Sequence, residues 1–567
     1  MTISDSAFLP DVTEKVISYD RYLQTVHGIW IGKFAGGTLG APIEGLKDIH
    51  EFDAEKNIPD SLAENDDTDL QLLWLHALQE HGPELNAHDL VAEWREHVKA
   101  PWSEYGLAVA NWERGVMPPE SGRRNNWFWG DGMGCPIRAE IWGIVAPGRP
   151  DIAARYAEMD ATLDHTDNSV EAEKFFAAII SAVFFEKDID RLLDIGLSFV
   201  RPDSRLYQLV EDVRAWAPTM GWQETRQRIL QEYGHPDMTH VLQNVGFTLV
   251  GLLYGKGDFG ETVITALNCG YDSDCTAATA GAILGGVLGY EGIPARWSEK
   301  IPDSYVVSDW MLGFPRQGSI RELTAMCCRQ GILVAERLLT KVCIESEPIQ
   351  DVLTLPVARQ TIEEIRPVAI PYPVWRIVGP FWRNWNERKQ ADLALKEHGP
   401  TSTLPSAQYF SHNHSGFDID FLAPAALSFD APESLEGAQT WIRQAEDDRL
   451  PLSHLSAGAG PVCYYAAAEF MIDAPRQLWL TMGCSGPLQV WLNDEKILTS
   501  DTYQPLTPNT FVVAISAKSG ANRLVLKLAK TSQPLEACVG LKHHEGRHWH
   551  QCFYDTSIEW RPWTGLA

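Results

Sequence analysis

The chain has 567 residues, more than one ordinary domain, and its 45% apolar and 22% charged content is that of a globular protein in water. Its 76 acidic residues against 47 basic ones leave a formal charge of −29, which argues against nucleic acid as a partner, because phosphate backbones are bound by basic faces. No basic-then-apolar leader and no run of about 18 apolar residues occurs, so a cytoplasmic protein with no membrane partner is expected. Ten cysteines without a Cys-x-x-Cys pair fit reduced thiols rather than a zinc ribbon. Oligomeric state is left open.

Residues 1 to about 20 read as an irregular lead-in. From 19 to 45 small and apolar residues dominate, and Gly28, Gly32, Gly36 and Gly40 recur every four residues. That spacing puts them along one helix face, where another backbone can approach closely. Each glycine costs helix stability, so tight packing has to offset it. The helix is expected to stop near Pro42, with Glu44 just beyond.

An acidic knot follows: Asn65, Asp66, Asp67, Thr68 and Asp69. Leu70, Leu73, Trp74, Ala77 and Leu78 then fall at helical spacing, so the knot is a helix N-terminus. Capping and the helix dipole account for one or two of its acids. Three acids in so short a stretch point to a metal or a ligand.

Residues 86 to 150 are rich in tryptophan, Trp129 among them, and indole faces suit sugar or base stacking as well as core filling. Gly130, Asp131, Gly132, Met133 and Gly134 form a flexible glycine loop. No strand precedes it and Walker spacing is absent, so it is not a phosphate fingerprint, but its glycines let backbone amides approach a ligand. Residues 151 to 187 read as helix, turn, helix, with His165 in the turn, and helices continue to 268.

A second knot then places Asp272, Asp274, Cys275 and Thr276 at the start of an Ala- and Gly-rich helix that runs to about 290. More helix follows to about 344. Uncompensated buried charge is expensive, so the two knots are expected to meet and share metal. Asp66, Asp67, Asp272 and Asp274 offer carboxylates, and Asn65, Thr68 and Thr276 a carbonyl and hydroxyls. Such oxygen sets suit Mg²⁺, Ca²⁺ or Mn²⁺ rather than zinc. Two such ions can hold vicinal sugar hydroxyls and orient a water, while a carboxylate moves the proton that glycosidic cleavage requires. The Asp272-x-Asp274-x-Thr276 spacing also fits haloacid-dehalogenase-type phosphatases. There the first Asp ends a buried strand, whereas here it stands between helices.

These pieces, in this order, resemble the ADP-ribosylglycohydrolase family of the dinitrogenase-reductase-activating type. Residues 27 to 45 look like its small-residue helix ending in Gly-Ala-Pro-x-Glu-Gly. Asn65 to Thr68 look like its Thr/Ser-Asp-Asp-Thr, the turn with His165 like its Thr-His turn, and residues 270 to 281 like its Gly-Gly-Asp-x-Asp-Thr/Ser segment. The resemblance covers about residues 20 to 340. It implies an all-α fold and a two-metal centre, usually magnesium, held by Asp66, Asp67, Asp272 and Asp274 with help from Asn65 and Cys275. It implies Glu44, Asp67 and Asp272 as catalytic residues, with Trp129, the Gly132, Met133 and Gly134 loop and His165 flanking the substrate. Asn65 and Cys275 depart from the family pattern, and a thiol is a poor partner for a hard cation.

Composition changes near Pro348. Residues 345 to 373 read as a linker, and short alternating apolar runs after 374 read as an all-β sandwich, jelly-roll-like. This part resembles the accessory domains of glycoside hydrolases, mainly in composition. The expected organisation is therefore a catalytic all-α domain at 1–344, a linker at 345–373 and a β-sandwich domain at 374–567. The expected activity is metal-dependent hydrolysis of a small-molecule glycoside, sugar or nucleoside-like. The alternatives are an ADP-ribosyl-protein hydrolase or a catalytically weak sugar- or ADP-ribose-binding protein.

Overall fold

The computed structural model describes residues 14–345, 353–381 apart from 363, 366, 367 and 369, 439–455, 462–530 and 534–561. Most of the expected lead-in and parts of the expected linker lie outside the described residues. The chain divides into two compact units, Met1–Ala100 with Val116–Glu364 and Pro101–Gly115 with Ile365–Ala567.

The first unit is helical. A short strand, β1 (Lys15–Ser18), replaces the end of the expected irregular lead-in, because the β-branched Val16 and Ile17 favour extended backbone. Ser18 caps α1 (Tyr19–Gly40), its hydroxyl accepting from the Arg21 amide, and a 3₁₀ turn with Pro42 ends the helix before Glu44. Then come α2 (Asp66–His81) and α3 (Ala87–His97). Helix α4 (Ser103–Glu113) groups with the second unit. The first unit resumes with α5 (Glu120–Arg123), α6 (Ala139–Val145), α7 (Pro150–Ala161), α8 (Asp167–Ala182) and α9 (Ile189–Leu197). It continues through α10 (Arg205–Trp216), α11 (Trp222–Tyr233), α12 (Val241–Tyr254), α13 (Phe259–Asn268), α14 (Ser273–Leu288) and α15 (Ala295–Ser298). The strands β2 (Tyr305–Val306) and β3 (Gln317–Gly318) pair before α16 (Ile320–Arg337), and β4 (Val342–Glu345) lies parallel to β1.

The axis of this unit is α1 against α14. The glycine stripe does what its spacing predicts. A Cβ at Gly28 would lie 2.3 Å from the Gly285 carbonyl oxygen, at Gly32 2.0 Å from that of Gly281, and at Gly36 2.3 Å from the Ala277 carbonyl. Gly40, the last of the four, sits against the Asp274 backbone. Close helix packing thus delivers the second acidic knot to the end of α1.

In the second unit, β5 (Val374–Phe381), β6 (Gln439–Gln444), β7 (Val462–Ile472), β8 (Arg476–Cys484) and β9 (Leu488–Leu492) lead to β10 (Glu495–Ser500) and β11 (Phe511–Ala517). Then follow β12 (Gly520–Lys530), β13 (Ala537–His543) and β14 (Glu559–Arg561). Among the described residues one sheet runs β10-β9-β12-β7-β5-β6 with β14 on β7, and the other runs β11-β8-β13. The pairs are antiparallel. Leu478, Leu480 and Met482 from one sheet meet Leu524, Leu526 and Leu528 from the other in one core, while Val525, Lys527 and Ala529 on the opposite face of β12 are buried as well.

Candidate metal centre

Three local structures converge on the end of α1. At the start of α2, Asn65 is the N-cap, its Oδ1 accepting the Asp67 amide at 2.7 Å. The amide end of the same side chain crosses to the other knot, donating to Asp274 Oδ2 at 3.0 Å. At the start of α14, the Ser273 hydroxyl donates to the Gly40 carbonyl at 3.1 Å. The Glu44 loop is tied in by backbone pairing, the Gly45 amide to the Tyr271 carbonyl and the Tyr271 amide to the Leu46 carbonyl, both at 2.8 Å. Gly270 turns the chain there with a φ of +70°, and its lack of a Cβ leaves room for the carbonyls of Leu46 and Asp48.

The two knots therefore meet. Asp67, Asp274 and Cys275 each bring one potential ligand atom into a group no wider than 4.8 Å, and so do Glu44, Asp272 and Asp274. Asp274 belongs to both groups, so two nests adjoin. Asp67, Asp272, Asp274 and Cys275 are buried, Asp66 is half-buried beside them, and Glu44 is exposed at the rim. Asp67 Oδ2 and Asp274 Oδ1 are buried with no hydrogen-bond partner among the described residues. Buried carboxylate oxygens without partners ask for a cation, and this donor set, oxygen apart from Cys275, fits a hard divalent ion. Asp69, the remaining acid of the first knot, instead accepts the Ser308 amide at 3.1 Å.

Without a cation the site works against its own charge. Loss of hydration, with Lys33 opposing it and Asp274 adding to it, pushes Asp67 up to about 7. Burial and then Asp274 and Glu44 raise Asp272 well above the carboxylate range, and burial and then Asp67 and Asp274 do the same to Asp66. Glu44 is pushed up to about 8 by loss of hydration in the cleft and by Asp274 and Asp67. Burial, with Asp272 and Asp274 close by, raises the Cys275 thiol, keeping it neutral.

Sequence reasoning missed Lys33. Its ammonium is fully buried, 3.1 Å from Asp67 Oδ1 and 3.0 Å from Glu140 Oε1. Gln71 completes this floor, donating to Glu140 Oε2 at 2.9 Å and to the Asp67 carbonyl at 2.8 Å. One lysine among small residues on a helix carries no signal of partners so distant along the chain.

The glycine loop is pinned rather than flexible. Asp131 accepts from the Asn168 amide at 2.8 Å and its side chain at 3.0 Å, while Ser169 donates to the Gly132 carbonyl at 2.6 Å. Gly132 bridges to His240, and Val241 donates to the Asp131 carbonyl. From there α12 leads back to the knot, since Asn244 Oδ1 accepts the Asp272 amide at 3.4 Å. Met133 is buried under the loop, and Gly134 accepts from Arg138. Trp129 is half-buried, its ring edge-on to Phe128, which packs on His235. His165 lies beneath the surface with Nδ1 2.7 Å from Asp164 Oδ1, and Arg138 holds the same carboxylate at 2.7 Å and 3.0 Å.

No described helix is long and apolar enough to cross a membrane. A protein from Archaeoglobus fulgidus, itself uncharacterised, is 24% identical in an alignment 297 positions long that covers 48% of this chain and 90% of that protein. A solved chain described as an ADP-ribosylglycohydrolase-related protein complex is 17% identical with a TM-score of 0.36, over 56% of this chain and 98% of that one. The sequence pattern of ADP-ribosylglycohydrolases matches residues 18–330, a span that holds α1, both acidic knots, Lys33 and the glycine loop, and the chain belongs to the ADP-ribosylglycohydrolase family.

Proposed function

We propose that the helical unit hydrolyses a glycosidic bond of a sugar or nucleoside-like substrate, with a hard divalent cation, magnesium foremost, held by Asp66, Asp67, Asp272 and Asp274. The observation that carries this reading is the pair of adjoining nests sharing Asp274, with partnerless oxygens on Asp67 and Asp274. A bound cation supplies positive charge for adjacent hydroxyls and eases ionisation of a water.

The chain's own residues do the rest. Glu44, exposed and grouped with Asp272 and Asp274, exchanges a proton with the departing or entering oxygen in this reading. Asp67 stays aimed because Lys33 holds one of its oxygens from below. Asn65 locks the two knots together through Asp274. In this reading the loop at Gly132 and the indole of Trp129 receive the sugar or base, an indole face being suited to stacking. Family membership favours a second reading, removal of ADP-ribose from a modified side chain.

Nitrophenyl glycosides and an ADP-ribosylated protein, assayed side by side, separate the two readings. Activity on either should vanish with EDTA, return with Mg²⁺ or Mn²⁺, and be absent in Asp272→Ala. Turnover that survives chelation and this substitution would overturn the metal-dependent reading.

A further inference from the structure

Some two and a half turns down α2 from Asp67, about 14 Å along the helix, lies a second group of ligand-type side chains. His76 from α2 and Glu93 and His97 from α3 each bring one potential ligand atom within 4.8 Å of the others, and all are buried. Glu96, also buried, stands beside them with Oε1 3.6 Å from His97 Nε2. The edges of the Phe314 and His76 rings close on His97, with centroids 5.5 Å and 5.3 Å away.

The tautomer of His97 is set from outside the group. Its Nδ1 is 2.9 Å from the Leu312 carbonyl, which can only accept, so Nδ1 carries the proton. Nε2 then points at Glu93 Oε2, 3.7 Å away, and at Glu96 Oε1. It is buried and has no hydrogen-bond partner among the described residues. Neither form of the ring is satisfied there: a lone pair facing two carboxylates is repulsive, and an N–H would find both oxygens too far for a hydrogen bond. They are close to the separation of about 3.3 Å between two ligands of one tetrahedral zinc, given bonds of about 2.0–2.1 Å. His76 Nδ1 is 2.8 Å from Glu93 Oε2, a contact whose shared proton a metal would replace.

We propose that His76, Glu93, His97 and Glu96 form a structural site for a zinc-type cation, distinct from the oxygen-rich centre. Two buried carboxylates balance its charge, and the Leu312 carbonyl supplies the outer partner that metal-bound histidines usually have. His81, 3.1 Å from Glu93 Oε1, and Arg359, 3.2 Å from Glu96 Oε2, hold the remaining carboxylate oxygens. His76, Glu93 and His97 are the grouped ligands, and Glu96, whose Oε1 also accepts the Gln360 amide at 2.8 Å, closes the site as the fourth, as in structural rather than catalytic zinc centres. The ion ties α2 to α3 and, through Leu312, to the segment whose Ser308 amide binds Asp69. It thereby steadies the helix whose N-terminus carries Asp66 and Asp67.

The test uses the full chain in an Asp274→Asn background, which disables the first centre. After stripping with a chelator and reloading, this protein should retain one equivalent of Zn²⁺ against excess Mg²⁺. Loaded with Co²⁺, it should show the visible absorption of a tetrahedral nitrogen–oxygen site. His97→Gln added to that background should lose the equivalent, weakening Zn²⁺ at least by the roughly 10–100-fold known for outer-partner losses, and should abolish the zinc-dependent rise in Tm. Zinc bound equally well with His97→Gln, or no zinc retained by Asp274→Asn alone, would overturn the proposal. Should His97→Gln fail to fold, the Co²⁺ spectrum of the Asp274→Asn protein decides, because an octahedral, nearly colourless spectrum also overturns it.

Discussion

Cys275 is the residue at which this site departs most from a hard-cation centre. Its sulfur is grouped with Asp67 and Asp274, yet burial keeps it a neutral thiol, and a neutral thiol adds little to Mg²⁺ binding. Cys275→Ser should therefore bind Mg²⁺ as tightly as the native protein or more tightly in calorimetric titration. Tenfold weaker binding would instead make the sulfur a ligand. Asp67 yields a pH dependence of definite sign. An unfolded chain titrates it near 3.9, while the folded, metal-free protein holds its proton to about 7. Between those values the folded state binds more protons, so stability present at low pH is lost as pH rises through about 7. In EDTA the Tm should fall from pH 5 to pH 8, and Mg²⁺ should restore it most at the upper end. A Tm independent of pH in EDTA would mean that Asp67 ionises freely in the cleft.

At the scale of elements, the α1–α14 contact carries the site. Gly32→Ala puts a methyl 2.0 Å from the Gly281 carbonyl oxygen, and backbone on both sides has to move. Overpacking of this sort costs about 1–3 kcal/mol, against a helix-propensity gain of about 1 kcal/mol. Because α14 also carries Asp272 and Asp274, divalent-ion affinity should drop together with Tm, measured by denaturation with and without Mg²⁺. A stable Gly32→Ala protein with unchanged affinity would show that the stripe is not under strain. These parts were legible because each is local: four glycines at helical spacing, and acids at the first turn of an apolar repeat. Lys33 was not legible, since its meaning lies in Asp67 and Glu140. Nor was the histidine group, in which Glu93 and His97 share a helix turn but His76 comes from another helix. Strand β7 escaped for a different reason. Ala466, Ala467 and Ala468 are all buried, so the run shows no alternation, and alanine favours helix in isolation.

At the scale of the whole molecule, the boundary of the β-rich unit is not a single point in the sequence. Helix α4 is inserted between α3 and α5 yet groups with the strands. The reason lies in contacts that no local pattern announces. The Thr556 hydroxyl donates to Glu113 at 2.6 Å, the Tyr372 hydroxyl reaches Asn111 Oδ1 at 3.4 Å, and the Arg114 guanidinium stacks over the Tyr372 ring. Tyr105, Leu107 and Trp112 on this helix are buried. A chain ending at Glu364 would keep α4 but remove Tyr372 and Thr556. Such a chain should melt below the full-length protein and bind a hydrophobic dye, because α4 is stranded with its apolar residues. Replacing residues 101–115 by a short Gly/Ser linker in the same shortened chain should reduce the dye binding and raise the Tm again, since the stranded helix goes with them. Equal melting of the shortened and full-length chains would show that α4 needs no β partner and that the helical unit stands alone at Glu364.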